Sequence, residues 1–235
     1  GSHDTASAVM AVPQTEGDGI YISSGTWSLM GIESLKPVIT EDAAAANFTN
    51  EGGYDHRFRF LKNIMGLWMI QSVRHEYQDA YSFAQLCDMA EESRDFSSRV
   101  DVNDQSFLSP DSMIEAIKQY CQKTSQPVPE TVGELAAVVY RSLAQSYGET
   151  VKELETIAGR IYDSIHIIGG GSNAAYLNQL TADATGKTVY AGPGEATAIG
   201  NLLAQMIHAG DLADLKGARQ CVRDSFEIKT YVPEN

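Results

Sequence analysis

The sequence predicts an α/β fold. Residues from Ile20 to Ile32 alternate between apolar and polar, which is typical of two strands joined across a turn at Gly25. A long amphipathic helix is predicted from Glu130 to Ala158, because apolar residues recur there at helical spacing. A β-α-β-α succession follows from Ser164 to Ala209. Early strands, a long helix and then alternating strands and helices form the pattern of an α/β protein.

The first third of the chain is predicted as strands, a loop and a helix. Pro13 and a Gly17-Asp-Gly19 turn precede the first strand. Residues 37 to 53 are rich in loop-forming residues, and a third strand is predicted from Tyr54 to Leu61. Apolar residues then recur at helical spacing from Asn63 to Tyr77. We therefore predict a helix there, with Asn63 close to its N-cap.

The middle of the chain is predicted to be mainly helical. One helix is expected from Ser82 to Glu92, followed by an extended segment around Val100 to Phe107. A further helix is predicted from Ser109, because serine is a good N-cap and Pro110 then suits the first helical position. A linker, Pro127-Val-Pro129, is expected to lead into the long helix.

The last third of the chain carries the β-α-β-α succession. Its predicted elements are a strand Ser164 to Ile168, a loop Gly169 to Ser172, a helix Asn173 to Thr185, a turn at Gly186, a strand Thr188 to Tyr190, a loop Gly192 to Gly194 and a helix Ala196 to Ala209. The tail is predicted as a short helix and an irregular end.

The composition disfavours several classes of protein. No apolar run approaches the roughly 20 residues that span a bilayer, so no membrane segment is expected. The net charge of −14 disfavours nucleic acid as a partner, because phosphate binding requires Lys and Arg clustered on one face. A single domain is the expected organisation of 235 residues. The sequence lacks a signal-peptide pattern, and we expect a cytoplasmic protein.

The cysteines and histidines indicate structural roles. Cys87, Cys121 and Cys221 are odd in number and far apart, so reduced thiols are predicted. No histidine has the spacing of a metal site, and no metal ligands are assigned. His166 lies within a predicted strand, and His208 lies near a helix end where a cation suits the helix dipole.

Several polar and glycine motifs permit more than one interpretation when taken singly. Asp4, followed by small residues, fits either a helix N-cap or a general base that receives a proton from a sugar hydroxyl. The Ser23-Ser-Gly-Thr26 turn fits a plain hairpin or a phosphate contact. The Gly169-Gly-Gly171 loop fits a nucleotide site or packing glycines, and its spacing is not the GxGxxG of dinucleotide-binding folds. Asn63 and Gln71 are eight positions apart and are predicted to share a helix face.

Five motifs occur in an order that carries a resemblance. They are His3-Asp-Thr-Ala6, Ser23-Ser-Gly-Thr-Trp-Ser-Leu-Met-Gly31, Asn50-Glu-Gly-Gly53, Leu61-Lys-Asn-Ile-Met-Gly-Leu-Trp68 and Gly169-Gly-Gly171. Together they resemble the C-terminal half of the FGGY carbohydrate kinases, and within that family the rhamnulokinases. The resemblance runs from His3 to about Pro233, and it identifies residues 1 to 235 as one C-terminal kinase domain.

The resemblance implies an actin-like, ribonuclease-H-like ATPase fold in which two domains close on ATP and a ketose, with Mg²⁺ bridging the phosphates. It implies that Asp4 is the general base for the C1 hydroxyl of L-rhamnulose. The other roles that it implies are sugar contacts from His3, Thr5 and Asn63, phosphate contacts from Gly25 and Thr26, and nucleotide contacts from Gln71, Gly170 and Gly171.

One departure from the family pattern limits what this chain can do alone. Family members carry an N-terminal domain with the first phosphate loop and an acidic Mg²⁺ ligand, and that domain is absent here. We therefore expect the isolated chain to have little or no kinase activity. Gly1-Ser-His3 also fits the remnant of a cleaved expression tag, but we interpret His3 as native because the family has a His before this Asp.

Three alternative functions remain open at the sequence level. L-fuculokinase or another ketose kinase shares the same motifs. A non-catalytic actin-like module would bind nucleotide or sugar without turnover. An NAD-dependent oxidoreductase would require the Gly169 loop to bind a dinucleotide.

Overall fold

A mixed β-sheet organises the chain in the computed structural model, which describes residues 3–14 and 19–234. Its strands are β1 (Ile20–Ser24), β2 (Trp27–Ser34), β3 (Thr49–Gly52), β4 (Phe58–Met65), β5 (Ser164–Ile168), β6 (Thr188–Ala191) and β7 (Lys229–Tyr231). They lie in the order β3-β4-β2-β1-β5-β6-β7. β1, β5 and β6 are parallel, whereas β2 is antiparallel to both β1 and β4. β4 therefore points in the same direction as β1.

Helices cover both faces of the sheet. They are α1 (Asp4–Met10), α2 (Glu41–Ala45), α3 (Trp68–Glu76), α4 (Phe83–Glu92), α5 (Met113–Lys123), α6 (Val132–Ala158), α7 (Ala175–Thr185), α8 (Ala196–Ala209) and α9 (Leu215–Ser225). The long helix α6 begins at a capping box, in which Thr131 and Glu134 satisfy each other's backbone amides. None of the helices in the described ranges is long and apolar enough to span a membrane.

The alternation of strand residues divides the interior into two cores. Ile20 and Ile22 point to one face, where they join a large apolar core with α6. Tyr21 points to the other face, where a smaller core includes residues of α1, α8 and α9. A Cβ added at Gly200 of α8 would lie 1.7 Å from the Ser7 carbonyl oxygen of α1, so only glycine permits this backbone approach.

The strand directions define two edges of the sheet. β1, β4, β5 and β6 all end at one edge, which we call the carboxyl edge, and they begin at the opposite amino edge. Helix α1 lies along α8, with Ser7 against Gly200 and with Met10 lining a cavity beside the later residue His208, so α1 and α8 begin towards the same edge. Helices α3, α7 and α8 follow β4, β5 and β6, so they also begin there.

Most of the predicted elements are confirmed. The β1–β2 hairpin turns at Gly25, and the long helix covers most of the predicted Glu130 to Ala158 range. Strand β5 has the predicted bounds, and α7, β6 and α8 follow in the predicted order. The predicted linker at Pro127 to Pro129 contains no helix or strand.

The prediction for Asn63 is wrong. Asn63 lies in β4, opposite Leu29 of β2, and it does not cap a helix. Strand pairing continues to Met65, and the helix begins only at Trp68. Asn63 and Gln71 therefore do not share a helix face. The apolar residues at the end of β4 continue almost directly into those of α3, so their spacing resembles that of one helix.

Several other boundaries also differ from the predictions. The third predicted strand is shifted to Phe58–Met65, and the expected loop before it contains α2 and β3. The helix expected from Ser109 begins at Met113, because the Ser112 hydroxyl accepts the Glu115 N–H at 3.1 Å and caps it there. The segment around 100–107 has a 3₁₀ turn in place of extended structure, and the tail ends in β7. Residues 17 and 18 of the predicted turn, and Gly1 and Ser2, lie outside the described residues.

Candidate active site

Helix α1 presents Asp4 near the carboxyl edge. The His3 carbonyl accepts the Ala6 and Ser7 N–H groups at 2.8 and 3.1 Å, so the backbone of His3 begins the helix. Asp4 takes the first helical position, where its side chain is exposed, and Thr5 is half-buried. The His3 side chain makes no capping hydrogen bond and is exposed. Asp4 is therefore a carboxylate on the surface at the start of a docked helix.

The turn between β1 and β2 reaches the same edge. The Gly25 N–H donates to the Trp27 carbonyl at 2.9 Å, and Thr26 is exposed at the tip. Leu67 donates to the Gly25 carbonyl at 2.9 Å, and Trp68 donates to the Thr26 carbonyl at 3.1 Å. These bonds attach the turn to the start of α3. They bring the half-buried Gln71, in the first turns of α3, to the same edge.

The glycine loop after β5 lies beside this turn. Ser23 pairs with Ile168, so the ends of β1 and β5 are neighbours. Gly169 has a φ of +84°, which a side chain would strain. A Cβ added at Gly171 would lie 1.9 Å from the Ser24 hydroxyl oxygen, so Gly171 is buried against the end of β1. Gly170 is exposed between them.

The glycines of the carboxyl edge fall into two groups. Packing or conformation requires Gly169 and Gly171, as shown above, and also Gly66, where a Cβ would lie 2.8 Å from the Gly25 carbonyl oxygen. Gly25 and Gly170 have no positive φ, and a Cβ would meet only the Trp27 carbonyl at 3.8 Å or nothing within 4 Å. The fold does not require glycine at these two positions. Glycine there leaves backbone accessible to a closely approaching ligand.

Asn63 lies on the sheet face that α1 covers. Leu61, two residues earlier in β4, belongs to the core beneath α1, and side chains two apart share a face. Asn63 is exposed and is close to the end of β4. The side chains of Asp4, Asn63 and Gln71 thus lie at the same edge as Gly25 and Gly170, the two glycines that the fold does not require. Gly171 is buried beneath the surface.

The sequence predictions missed a group of hydroxyls under this edge. The Tyr147 hydroxyl of α6 lies 2.6 Å from the Ser28 hydroxyl oxygen, and the nearby Ser24 hydroxyl also lowers the pKa of the phenol. Ser24 belonged to the recognised turn motif, so the motif was a usable signal for it. Tyr147 fits the apolar face of α6, and nothing in its local pattern indicates a contact with a strand 119 residues away.

The shifted pKa of His166 reflects its burial in the fold. Burial, with smaller contributions from the charges of Arg219 and Arg223, lowers the pKa of His166 to about 4. His166 is thus neutral at pH 7 and stacks on Tyr190, as its predicted structural role requires. Over residues 3–14 and 19–234, no group of three His, Cys, Asp or Glu side chains could hold a metal ion.

Comparisons with known proteins agree with this architecture. A family profile described as the FGGY family of carbohydrate kinases, C-terminal domain, matches residues 20–209. The chain is 51% identical over 100% of its length to a rhamnulokinase of Bacillus subtilis and 53% identical over 98% to one of Halalkalibacterium halodurans. It covers 48% and 49% of these relatives. The chain therefore spans about half the length of the curated relatives it matches.

Solved structures show the same fold at low sequence identity. A Plasmodium falciparum glycerol kinase with ADP has a TM-score of 0.69 at 11% identity, and the match covers 98% of this chain and 46% of that chain. A xylulose kinase from Rhodospirillum rubrum has a TM-score of 0.68 at 14% identity, with 98% and 46% coverage. The predicted α/β, actin-like fold is confirmed by these likenesses. The chain belongs to the FGGY family of carbohydrate kinases, of which it is a C-terminal domain.

Proposed function

We propose that this chain is the nucleotide-binding C-terminal domain of an ATP-dependent kinase that converts L-rhamnulose to L-rhamnulose 1-phosphate. The observation that carries the proposal is an exposed carboxylate, Asp4, at the same sheet edge as the accessible backbone of Gly25 and Gly170. The relatives named rhamnulokinase, at about half identity over the whole chain, support the choice of sugar. In this proposal residues 1 to 235 form one domain.

Asp4 acts as the general base. Attack of the C1 hydroxyl on the γ-phosphate requires removal of its proton, and a carboxylate within hydrogen-bond reach accepts it. The oxygen–phosphorus bond to C1 forms as the bond between the γ-phosphorus and the bridging oxygen of ADP breaks. His3, Thr5 and Asn63 orient the sugar from the face that α1 covers. His3 and Asn63 suit this task because their side chains are exposed.

The turn and the glycine loop bind ATP. Gly25 and Thr26 contact the phosphates, Gln71 contacts the nucleotide, and Gly170 lets it approach the loop. Gly171, which is buried, supports Gly170 from beneath. A chain with a net charge of −14 has few cations to offer phosphates, so backbone groups and a hydroxyl suit this role.

Mg²⁺ accompanies ATP in this proposal and neutralises phosphate charge. The described part of the chain offers no group of three carboxylate, His or Cys ligands that fits such an ion. No residue of this chain is therefore assigned to it.

A preceding domain completes the site. The chain matches only about half of the length of its relatives. In our proposal an N-terminal kinase domain closes on the carboxyl edge. Closure excludes water and fixes both reactants, so we expect the isolated chain to turn over little or no substrate. The proposal includes a cytoplasmic location, and the three free thiols of Cys87, Cys121 and Cys221 support it.

The decisive experiment measures phosphorylation of L-rhamnulose, L-fuculose and other ketoses by the full-length enzyme and its Asp4→Asn variant. We expect selective turnover of L-rhamnulose that is lost in the variant, while ATP binding survives. Asp42→Asn is the matched control, because Asp42 is an exposed first-turn aspartate of α2.

Other outcomes identify other functions. Preference for L-fuculose would assign the enzyme to that sugar. Nucleotide binding without any sugar-dependent turnover would indicate a non-catalytic module. Competition of NAD with ATP analogues would point to an oxidoreductase.

A further inference from the structure

Three buried hydroxyls connect the centre of α6 to the candidate nucleotide edge. Ser24, Ser28 and Tyr147 are 3%, 0% and 1% exposed, respectively. Ser24 and Ser28 face each other across the β1–β2 hairpin, on either side of the Gly25-Thr26 turn. The Tyr147 hydroxyl lies 2.6 Å from Ser28 Oγ, and the Ser24 hydroxyl is close enough to influence the pKa of the phenol. One phenol therefore bonds to the β2 side of the turn and lies close to the β1 side.

We propose that Tyr147 is a positioning residue for nucleotide binding, which it supports by holding the Gly25-Thr26 turn in register with the glycine loop. This inference rests on the proposed function, since it concerns how that site is kept in shape. Tyr147 touches no ligand in this scheme. It acts through Ser24 and Ser28.

The contacts of Ser24 carry the effect to the second loop. A Cβ at Gly171 would lie 1.9 Å from Ser24 Oγ, and a Cβ at Gly169 would lie 2.9 Å from the Ser24 carbonyl oxygen. The glycine loop is therefore packed directly against Ser24. A change in the rotamer or position of Ser24 would displace Gly170, which lies between these two contacts.

The hydrogen bond of Tyr147 to Ser28 persists across the working pH range. Burial raises the pKa of Tyr147 to about 12, and the hydroxyls of Ser28 and Ser24 only partly oppose that rise. The phenol therefore keeps its proton near neutral pH. Removing the hydroxyl leaves the fully buried Ser28 hydroxyl without this partner, which carries a larger penalty than the loss of one exposed hydrogen bond.

Tyr140 offers a matched control on the same helix. It lies two turns earlier in α6, is 1% exposed, and its hydroxyl hydrogen bonds to the Cys87 thiol. Its ring packs edge-on against Tyr176, with centroids 6.3 Å apart. Tyr140 thus has a similar structural role in the large core. The partners named above, Cys87 and Tyr176, belong to α4 and α7 and not to the β1–β2 hairpin.

The test compares Tyr147→Phe with Tyr140→Phe in the full-length enzyme. For Tyr147→Phe we expect the KM for ATP to rise about tenfold, which corresponds to the loss of about one buried hydrogen bond. The KM for the sugar should change by less than about twofold. Tyr140→Phe should lower the thermal midpoint about as much as Tyr147→Phe does, and it should leave the KM for ATP unchanged. The ratio of the two KM effects is the readout that a purely structural role would not produce.

Two results would overturn the inference. One is an unchanged KM for ATP in folded Tyr147→Phe, and the other is an equal rise in both variants. If Tyr147→Phe does not fold, Ser28→Ala removes the same hydrogen bond from the strand side and should raise the KM for ATP by a smaller factor; no rise there also rejects the idea.

Failure of the proposed function would look different. A wild-type enzyme without ATP-dependent sugar phosphorylation rejects that function, whatever the Tyr147 variant does. Fluorescence of Trp27 and Trp68, the two tryptophans of the chain, then reports ATP titrations of wild type and Tyr147→Phe directly. Equal affinity of the two proteins, or no ATP binding by either, rejects the inference about Tyr147.

Discussion

Paired charges at the amino edge of the sheet contrast with exposed polar side chains at the carboxyl edge. At the amino edge Arg59, which is 1% exposed, pairs with Glu51 at 2.8 Å, and Arg219 of α9 pairs with the half-buried Glu33. At the carboxyl edge Asp4 and Thr26 are exposed to solvent. These two ion pairs hold charge within the protein at the amino edge, whereas the side chains of Asp4 and Thr26 at the carboxyl edge are available to ligands.

This difference separates residues that hold the fold from residues that serve a site. A buried charge that loses its partner destabilises the folded state, so the amino edge is expected to be sensitive in stability. An exposed carboxylate on a helix that the backbone already caps contributes little to stability. We therefore propose that this carboxylate serves chemistry and not stability.

The largest expected effect comes from Asp4 and sharpens the comparison. Asp4→Asn in the full-length enzyme should lower kcat by about a thousandfold, because general-base catalysis contributes factors of roughly 10²–10⁴. The thermal midpoint should stay within about 1 °C, since the His3 backbone begins α1 without the carboxylate. Kinetics and a thermal melt on the same sample check both parts. Loss of stability parallel to the loss of activity would contradict the separation.

A comparable effect on stability is expected at the amino edge. Arg219→Met removes the partner of Glu33 and the bond from Arg219 to the Val9 carbonyl, so the free energy of unfolding should fall by about 3 kcal/mol. Urea denaturation of the chain measures it. The control Asp79→Asn removes the more exposed pair with Arg74 and should change stability by only about 0.5 kcal/mol. A strong fall in kcat without destabilisation would break the comparison.

His166 extends the test to pH. Its pKa is lowered from 6.5 to about 4 in the folded chain, so below pH 6.5 the unfolded chain takes up a proton that the folded chain refuses. Stability should fall as the pH drops from about 6.5 to 4, by up to about 3 kcal/mol, and this contribution should not change further below 4. Unfolding of wild type and His166→Phe at several pH values measures it, with the exposed His75→Gln as control. An equal slope in His166→Phe would refute the assignment.

The smallest expected effect distinguishes adjacent glycines of the carboxyl edge. Gly170→Ala should leave stability unchanged, because its Cβ meets nothing within 4 Å, and should weaken ATP binding about tenfold by filling the space for the nucleotide. Gly171→Ala should lower stability, because its Cβ collides with Ser24. Thermal melts and ATP titrations of the two variants test this. Unchanged ATP binding in Gly170→Ala would show that the open space serves no nucleotide.

The sequence was informative where a strand runs directly into a motif. The loops after β1 and β5 were located correctly because parallel strands end at one edge, so glycines that follow them meet there. Asn63 was misplaced because the apolar end of β4 and the apolar start of α3 form one uninterrupted pattern. Its proposed sugar contact stays a prediction, now from a strand.

Other features depend on contacts that local patterns do not encode. β3 is a short edge strand, Thr-Asn-Glu-Gly, with no apolar alternation, so its sequence indicates a loop. The bond between Tyr147 and Ser28 joins residues far apart in sequence, and only the folded packing of α6 on the sheet creates it. The roles of individual site residues remain predictions because they concern ligands and a preceding domain.

The close approach of Gly200 to Ser7 has a consequence for the order of folding. Helix α1 has seven residues, which is too short to persist in water without tertiary support. Its support is α8, which lies near the other end of the chain. During synthesis the residue proposed as the base leaves the ribosome well before α8, and it acquires a fixed position only once α8 has followed. The position of Asp4 is then among the last features of this domain to be fixed.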